Sequence, residues 1–287
     1  MTAQAAPSQQ LCLCADDFGM SAGINAAVLE LIARRRLSAT GCLVQRGAWR
    51  QGVGALRRVD AARADIGLHL DLTPPPAPGS DEPGLAPLLW RTYTRTASRR
   101  QLQQAIAEQL ARFEDGVGRA PAFVDGHRHV HQLPVVRAAL LDELSRRYGA
   151  SPPWLRSTRP RAAQGSFKAH VIHALGGPAL AREAARHATP TSGALLGVYD
   201  FAGGPAGYRQ RMLGWLSAAR SGDVLMCHPS MGDARATPHD RARVAEYTVL
   251  AALEFPWTSP TGARVTLAPL SRQALAGRPA GALEGPA

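Results

Sequence analysis

Lysine is all but missing from this 287-residue chain: Lys168 is the single one, so nearly all of the 33 basic residues are arginine. Acidic residues are also short, at 22, which leaves a formal net charge of +11. A surplus of this size ordinarily directs attention to nucleic acid. Here the arginines are scattered, with short clusters such as Arg34-Arg35-Arg36 and Arg99-Arg100 and no interleaved aromatic motif. The excess therefore reads as compositional, and no nucleic-acid partner is expected; attraction of an anionic glycan is the one use left for it. Cysteine is sparse, with four residues, which excludes a small disulfide scaffold. Cys12, Cys14, Cys42 and Cys227 all lie in apolar runs and read as buried thiols. No apolar run is long enough to span a bilayer. The opening MTAQAAPSQQ has neither the basic region nor the apolar stretch of a secretory signal, so a cytoplasmic location is expected. No P-loop, GxGxxG, GxSxG elbow or HExxH occurs, which argues against nucleotide-dependent, serine-hydrolase and zincin chemistry.

What is present is apolar material, 45% of the chain, enough for a sizeable core and too much for a disordered protein. Short apolar runs alternate with helical periodicity. Strands are expected at 11–17, 40–45, 65–72, 121–125, 154–157 and 223–227. Helices are expected at 22–36, with Ser21 as N-cap, and at 48–59, 99–114, 133–148, 208–219 and 241–254. Residues 73–89, rich in Pro and Gly, read as a loop. Residues 160–207, rich in Ala, Gly and His, resist assignment. The alternation implies an α/β domain with a largely parallel sheet. Neither a repeat nor a shift in composition divides the chain. One domain over 11–270 is expected, between a flexible N-terminus at 1–10 and a flexible tail at 271–287.

Chemistry-bearing residues gather at the C-terminal ends of these strands, where α/β folds build their sites. Asp16 and Asp17 end the first strand in the run ADDFG. Two adjacent carboxylates are costly to bury unless a cation or donors compensate them. One can ligate a metal while the other serves as a base, although a helix N-cap and first-turn pair is the bland alternative. His69 stands in GLHLDL, with Asp71 two residues on, on the same strand face and able to orient the imidazole. The run DGHRHVH places His127, His129 and His131 after a strand, with Asp125 positioned to set the His127 tautomer; a surface histidine cluster is the alternative. An Asp/His/His set suits one divalent cation with open positions, Zn²⁺ more naturally than Mg²⁺ on donor chemistry. His228 ends the run VLMCH. Hydrolysis of an amide needs a base for water and an acid for the amine, roles that suit Asp16 and His228. Arg156 offers a fixed charge for a carboxylate or oxyanion, or is merely one more arginine of an Arg-rich chain. His170, His173, His187 and His239 have no visible partners and read as solvated or locally bonded.

ADDFG at 15–19, GLHLDLT at 67–73, DGHRHVHQLP at 125–134 and MCHPS at 226–230 together resemble the YdjC-like carbohydrate deacetylases. That family includes chitooligosaccharide deacetylases and a hopanoid-associated branch. The resemblance spans roughly residues 11–255. It implies a distorted, TIM-like (β/α) barrel and metal-dependent removal of acetyl groups from N-acetylated sugars. It further implies Asp17, His69 and His127 as ligands of one divalent ion (Mg²⁺ in family descriptions, Zn²⁺ by donor chemistry), Asp16 as base and His228 at the active site. Arg156, Asp71, Asp125, His129 and His131 are then expected around substrate or behind the ligands. Gly126 and Arg128 depart from the family's usual DSHHHVH. A lipid-linked or hopanoid-type glycan as substrate, or a non-catalytic metal- or sugar-binding role, are the alternatives. A homodimer is left open.

Overall fold

The computed structural model describes residues 8–73, 84–161, 165–232, 238–259 and 262–273. Its centre is the long strand β1 (Ser8–Phe18). Side chains alternate along a strand, and β1 is buried on both faces from Leu11 onward. Leu11, Leu13 and Ala15 pack into the large core beneath the helices, while Cys12 and Cys14 pack with Phe123, Trp154, Val224 and Met226 in a second, smaller core. That double burial is why the strands read as continuous apolar runs. All four cysteines are buried free thiols, as expected.

The strand order is β5 (Trp154–Leu155), β4 (Phe123–Gly126), β3 (Asp65–Leu70), β2 (Ala39–Cys42), β1, β7 (Val224–Cys227), β6 (Leu195–Leu196). Every pairing along this path is parallel. The sheet stays open between β5 and β6, where isolated parallel bridges Leu155–Thr191 and Pro160–Leu195 span the gap. This is the distorted (β/α) barrel expected. Its strands are parallel, so all their C-terminal ends meet at one rim. Two short strands were not foreseen: β8 (Trp257–Thr258) pairs antiparallel with β9 (Arg264–Leu267), and β9 runs parallel to the first four residues of β1. β1 consequently starts at Ser8, inside the stretch expected to be flexible.

Helices cover the outside. α1 (Ala22–Ala33) starts where Ser21 accepts a hydrogen bond from the Ile24 amide, the expected cap. It buries Ile24, Ala27, Val28 and Leu31 along one stripe. α2 (Trp49–Leu56) follows. α4 (Arg99–Val117) is capped by Ser98 and ends at left-handed Gly118. α3 (Ala86–Tyr93) corrects the loop reading of 73–89 at its end. Pro87 there lies in the first helical turn, where proline is tolerated; residues 74–83 lie outside the described ones. α5 (Val136–Tyr148) begins three residues later than expected, because Leu133 is extended and Val135 has a φ of 65°, outside the right-handed helical range. The unassigned stretch contains α6 (Phe167–Ala174), α7 (Gly177–Arg186) and two-residue β6. α8 (Gly204–Ala218) and α9 (Pro238–Ala252) complete the cover. Residues 1–7 and 274–287, most of the two expected flexible ends, lie outside the described residues.

Candidate active site

Strand ends β1, β3, β4 and β7, together with the chain after β6, bring their polar residues to one cavity of about 390 Å³. Asp17 sits at a left-handed φ of 69°, which turns its carboxylate into the rim. Its Oδ1 lies 3.1 Å from His127 Nδ1 and 3.5 Å from His69 Nε2. One donor atom from each of Asp17, His69 and His127 falls within 4.8 Å of the others, the spacing of a metal site. Asp125 Oδ1 lies 2.7 Å from His69 Nδ1. That contact fixes a proton on Nδ1 and leaves Nε2 to face the carboxylate.

This corrects two expectations. The partner of His69 is Asp125, not Asp71, and Asp125 does not set the His127 tautomer. Asp71 instead binds the Arg46 guanidinium and the Thr73 amide and hydroxyl, and its backbone is clasped by Gln109. The alternation rule puts Asp71 on the His69 face, but β3 ends at Leu70 and the chain turns away.

Asp16 faces Arg156, whose two Nη atoms each donate to one carboxylate oxygen at 2.6 Å. The same guanidinium reaches Asp125 Oδ2 at 2.6 Å and Cys14 Sγ at 3.1 Å. Arg156 is 1% exposed, among the largest wholly buried side chains described. It compensates two buried carboxylates at once, so its place is behind the site and not in contact with substrate. His131 donates from Nε2 to the Arg156 carbonyl at 2.9 Å and is fully buried, which makes it a brace for the same arginine. His129 lines the cavity, with its Nδ1 buried and unpartnered.

The electrostatics follow from burial against these charges. Burial would raise the Asp17 carboxyl, but Arg243 and then His127 hold it well below the usual carboxylate range. Burial would lower His69, yet Asp125, Asp16 and Asp17 outweigh it and lift it to about 9. His131 and His228 go the other way, each pushed down to about 4 chiefly by burial.

His228 lies in the cavity wall, with the Phe201 ring edge-on at 5.3 Å. Its backbone amide donates to Glu246 Oε2 at 2.5 Å, and its Nδ1 is 3.9 Å from Glu246 Oε1. Glu246 is wholly buried, and burial raises its carboxyl to about 7.

Several residues of the site had no signal in the sequence. Arg243 Nη2 donates to Asp17 Oδ2 at 2.6 Å, from α9. Glu246 comes from the same helix. Phe201 packs against both His228 and His239, and Lys168 Nζ stands 5.6 Å over its ring. His239, expected to be solvated, lines the cavity. His170 is bonded locally, to the Ser166 carbonyl, while His173 and His187 meet the hydroxyls of Thr158 and Ser145, 15 and 42 positions away. Asp17, Arg128, His129 and Phe201 all have positive φ and all line this cavity. Such strain concentrates where geometry serves function.

A parallel (β/α) barrel carrying an Asp/His/His cluster beside a buried Asp–Arg pair defines the class. Within it, the chain belongs to the family of YdjC-like proteins, whose model matches residues 10–257. A chitooligosaccharide deacetylase of Serratia marcescens is 31% identical over 129 residues, covering 42% of this chain and 50% of the relative. The alignment thus spans about half the length of that relative. A solved structure from Enterococcus faecalis V583, provisionally described as a cellobiose-phosphate cleavage protein, shares the fold at a TM-score of 0.59 and 20% identity, over 86% of this chain and 92% of its own.

Proposed function

We propose that this protein is a metal-dependent carbohydrate N-deacetylase, hydrolysing the acetamido group of an N-acetylated sugar or oligosaccharide. The observation that carries the reading is the convergence of Asp17, His69 and His127 with Asp16, held from behind by Arg156, and with His228 on one cavity. The donor set suits a divalent cation: Asp125 pins the proton of His69 on the far nitrogen, so Nε2 is free to ligate. One carboxylate and two imidazoles match Zn²⁺ better than Mg²⁺, which prefers oxygen. Such an ion, when bound, supplies Lewis-acid polarisation of the amide carbonyl and a lowered pKa for water.

The chain's own residues do the rest. Asp16 accepts the proton of the attacking water, and Arg156 holds its carboxylate in place. The amide carbon becomes tetrahedral and negatively charged. His228, neutral at the start, receives the proton that Asp16 took from water and passes it to the nitrogen; the C–N bond breaks, and a free amine and acetic acid, which ionises to acetate, leave. Phe201 and Tyr199 in the cavity wall offer apolar faces to a sugar ring. The similarity to the Serratia chitooligosaccharide deacetylase supports the amide as substrate.

Elemental analysis together with acetate release from a panel of N-acetylated sugars tests the reading. Asp16→Asn is expected to keep its metal and lose roughly 10²–10⁴-fold in turnover, the range for a general base. Metal uptake without acetate release from any N-acetyl sugar would overturn it in favour of a binding protein. A fully active Asp16→Asn would overturn the base assignment.

A further inference from the structure

The two most exposed large apolar side chains among the described residues are Phe167, 85% exposed, and Trp90, 72% exposed. They sit on different helices that meet: Tyr93 at the end of α3 donates its hydroxyl to the carbonyl of Leu175, just past α6, at 2.6 Å. Both helices also border the catalytic cavity. Leu85, immediately before α3, and Lys168 and Ile172 on α6 line it. On α6, Lys168 and Ile172 form one i, i+4 stripe, and Phe167 and Val171 form the neighbouring stripe. That second stripe is turned to solvent, with Val171 41% exposed. On α3, Leu88 and Leu89 pack inward while Trp90 and Tyr93 point out. Isolated exposed apolar residues need no explanation, but three exposed aromatics, Trp90, Tyr93 and Phe167, on two helices that border one cavity do.

Charge selects the occupant. Residues 84–107 hold Arg91, Arg95, Arg99 and Arg100 and no acid; residues 165–182 hold Lys168 and Arg182 and no acid. Arg91, Arg95 and Lys168 are exposed. Arg99 is paired with Asp142, and Asp200 stands near Lys168 in the cavity wall, so Arg91 and Arg95 beside Trp90 are the cations that count. An exposed Trp and Phe with basic neighbours is the pattern of a surface that rests in the headgroup layer of an anionic bilayer: the aromatic bodies enter the interface and the cations stay on lipid phosphates. The surplus of +11 over the whole chain adds long-range attraction to the same partner.

We propose that the α3–α6 rim docks this protein on anionic lipid surfaces, with the mouth of the cavity turned toward the headgroups. This concerns where the chain binds and not what it cleaves, so vesicle binding and acetate release can fail independently.

The test uses the full chain and sedimentation with large vesicles of mixed phosphatidylglycerol and phosphatidylcholine, against vesicles of phosphatidylcholine alone. Binding is expected to the anionic vesicles only, and to fall steeply with added salt. Trp90→Ala with Phe167→Ala is expected to lower partitioning at least about tenfold, from the loss of both interfacial aromatics. Both side chains already stand in water, so unfolding is not expected, and an unchanged melting temperature checks it. As a second readout, brominated lipid is expected to quench tryptophan fluorescence of the native chain, and less so in Trp90→Phe. Equal binding to both vesicle types, or binding and quenching indifferent to these substitutions, would overturn the proposal. So would a double variant that converts a dimer to a monomer in light scattering, which would assign the patch to a second copy of the chain.

Discussion

Arg156 is the residue on which the interior of the site turns. It is buried, and it answers Asp16 and Asp125 together. Removing one partner of a buried ion pair is strongly unfavourable because the other charge stays behind. Arg156→Met leaves two buried carboxylates near each other and is expected to cost about 3–5 kcal/mol, read as a lowered midpoint in urea unfolding. A loss below about 1 kcal/mol would mean that these carboxylates find other compensation. Asp125 makes a finer prediction. Its contact with His69 Nδ1 orients Nε2, the nitrogen proposed to ligate. Asp125→Asn keeps the shape but weakens that hold, and metal affinity is expected to fall about 10–100-fold, measured by competition with a chromogenic chelator. Affinity unchanged in Asp125→Asn would detach Asp125 from the metal site.

Elements explain what the sequence could and could not disclose. Asp16, Asp17, His69, His127 and His228 were legible because parallel strands carry their C-terminal ends to one rim, so short motifs at strand ends land together. Arg156 was legible as a candidate for the same reason, but its partners were not: the Asp125 and Asp16 contacts cross 31 and 140 positions of chain. Arg243 and Glu246 were invisible. They lie inside α9, where an arginine and a glutamate look like ordinary solvated helix residues. Nothing in their own neighbourhood says that this helix faces the cavity. The two-residue strand β6 lacks enough length for a period to show, and α6 and α7 are only eight and ten residues long, which is why 160–207 resisted assignment, whereas equally short β5 was expected within 154–157. Glycine carries a related message on β3. A Cβ at Gly67 would lie 2.4 Å from the Phe123 ring, which stacks on Trp154 at 4.4 Å. Gly67→Ala is therefore expected to destabilise by about 1–3 kcal/mol, the usual range for overpacking. Thermal unfolding checks it, and an unchanged midpoint would show that the ring moves aside freely.

At the scale of the whole molecule, the buried histidines make stability depend on pH in opposite directions, and metal selects between them. An unfolded histidine titrates near 6.5. His131 and His228 titrate at about 4 when folded, and burial likewise holds His129 well below its ordinary value. As pH falls from about 6.5 toward 4, the unfolded chain gains protons that the folded chain refuses, and each such group removes up to about 1.4 kcal/mol per pH unit. Glu246, raised to about 7, acts the opposite way: it favours the folded state at low pH, and that contribution is lost as pH rises through 7. It offsets part of the acid loss but not that of three histidines. His69, raised to about 9, has the same sign as Glu246. Its stabilisation is complete below about 6.5 and disappears as pH climbs to 9, because the proton shared with the carboxylates is then lost. The metal-free protein is thus expected to be most stable near pH 6.5 and to weaken on both sides. A divalent ion requires neutral His69 and competes with that proton, so binding below pH 9 is expected to release protons and to remove the alkaline weakening while leaving the acid one. Melting temperatures from pH 4 to 9.5, with chelator and with saturating Zn²⁺, display both limbs. His131→Gln, which keeps a donor for the Arg156 carbonyl without a titrating ring, is expected to flatten the acid limb alone. A chelated protein whose midpoint stays level from pH 6.5 to 9 would show that His69 is not held protonated by Asp125, Asp16 and Asp17.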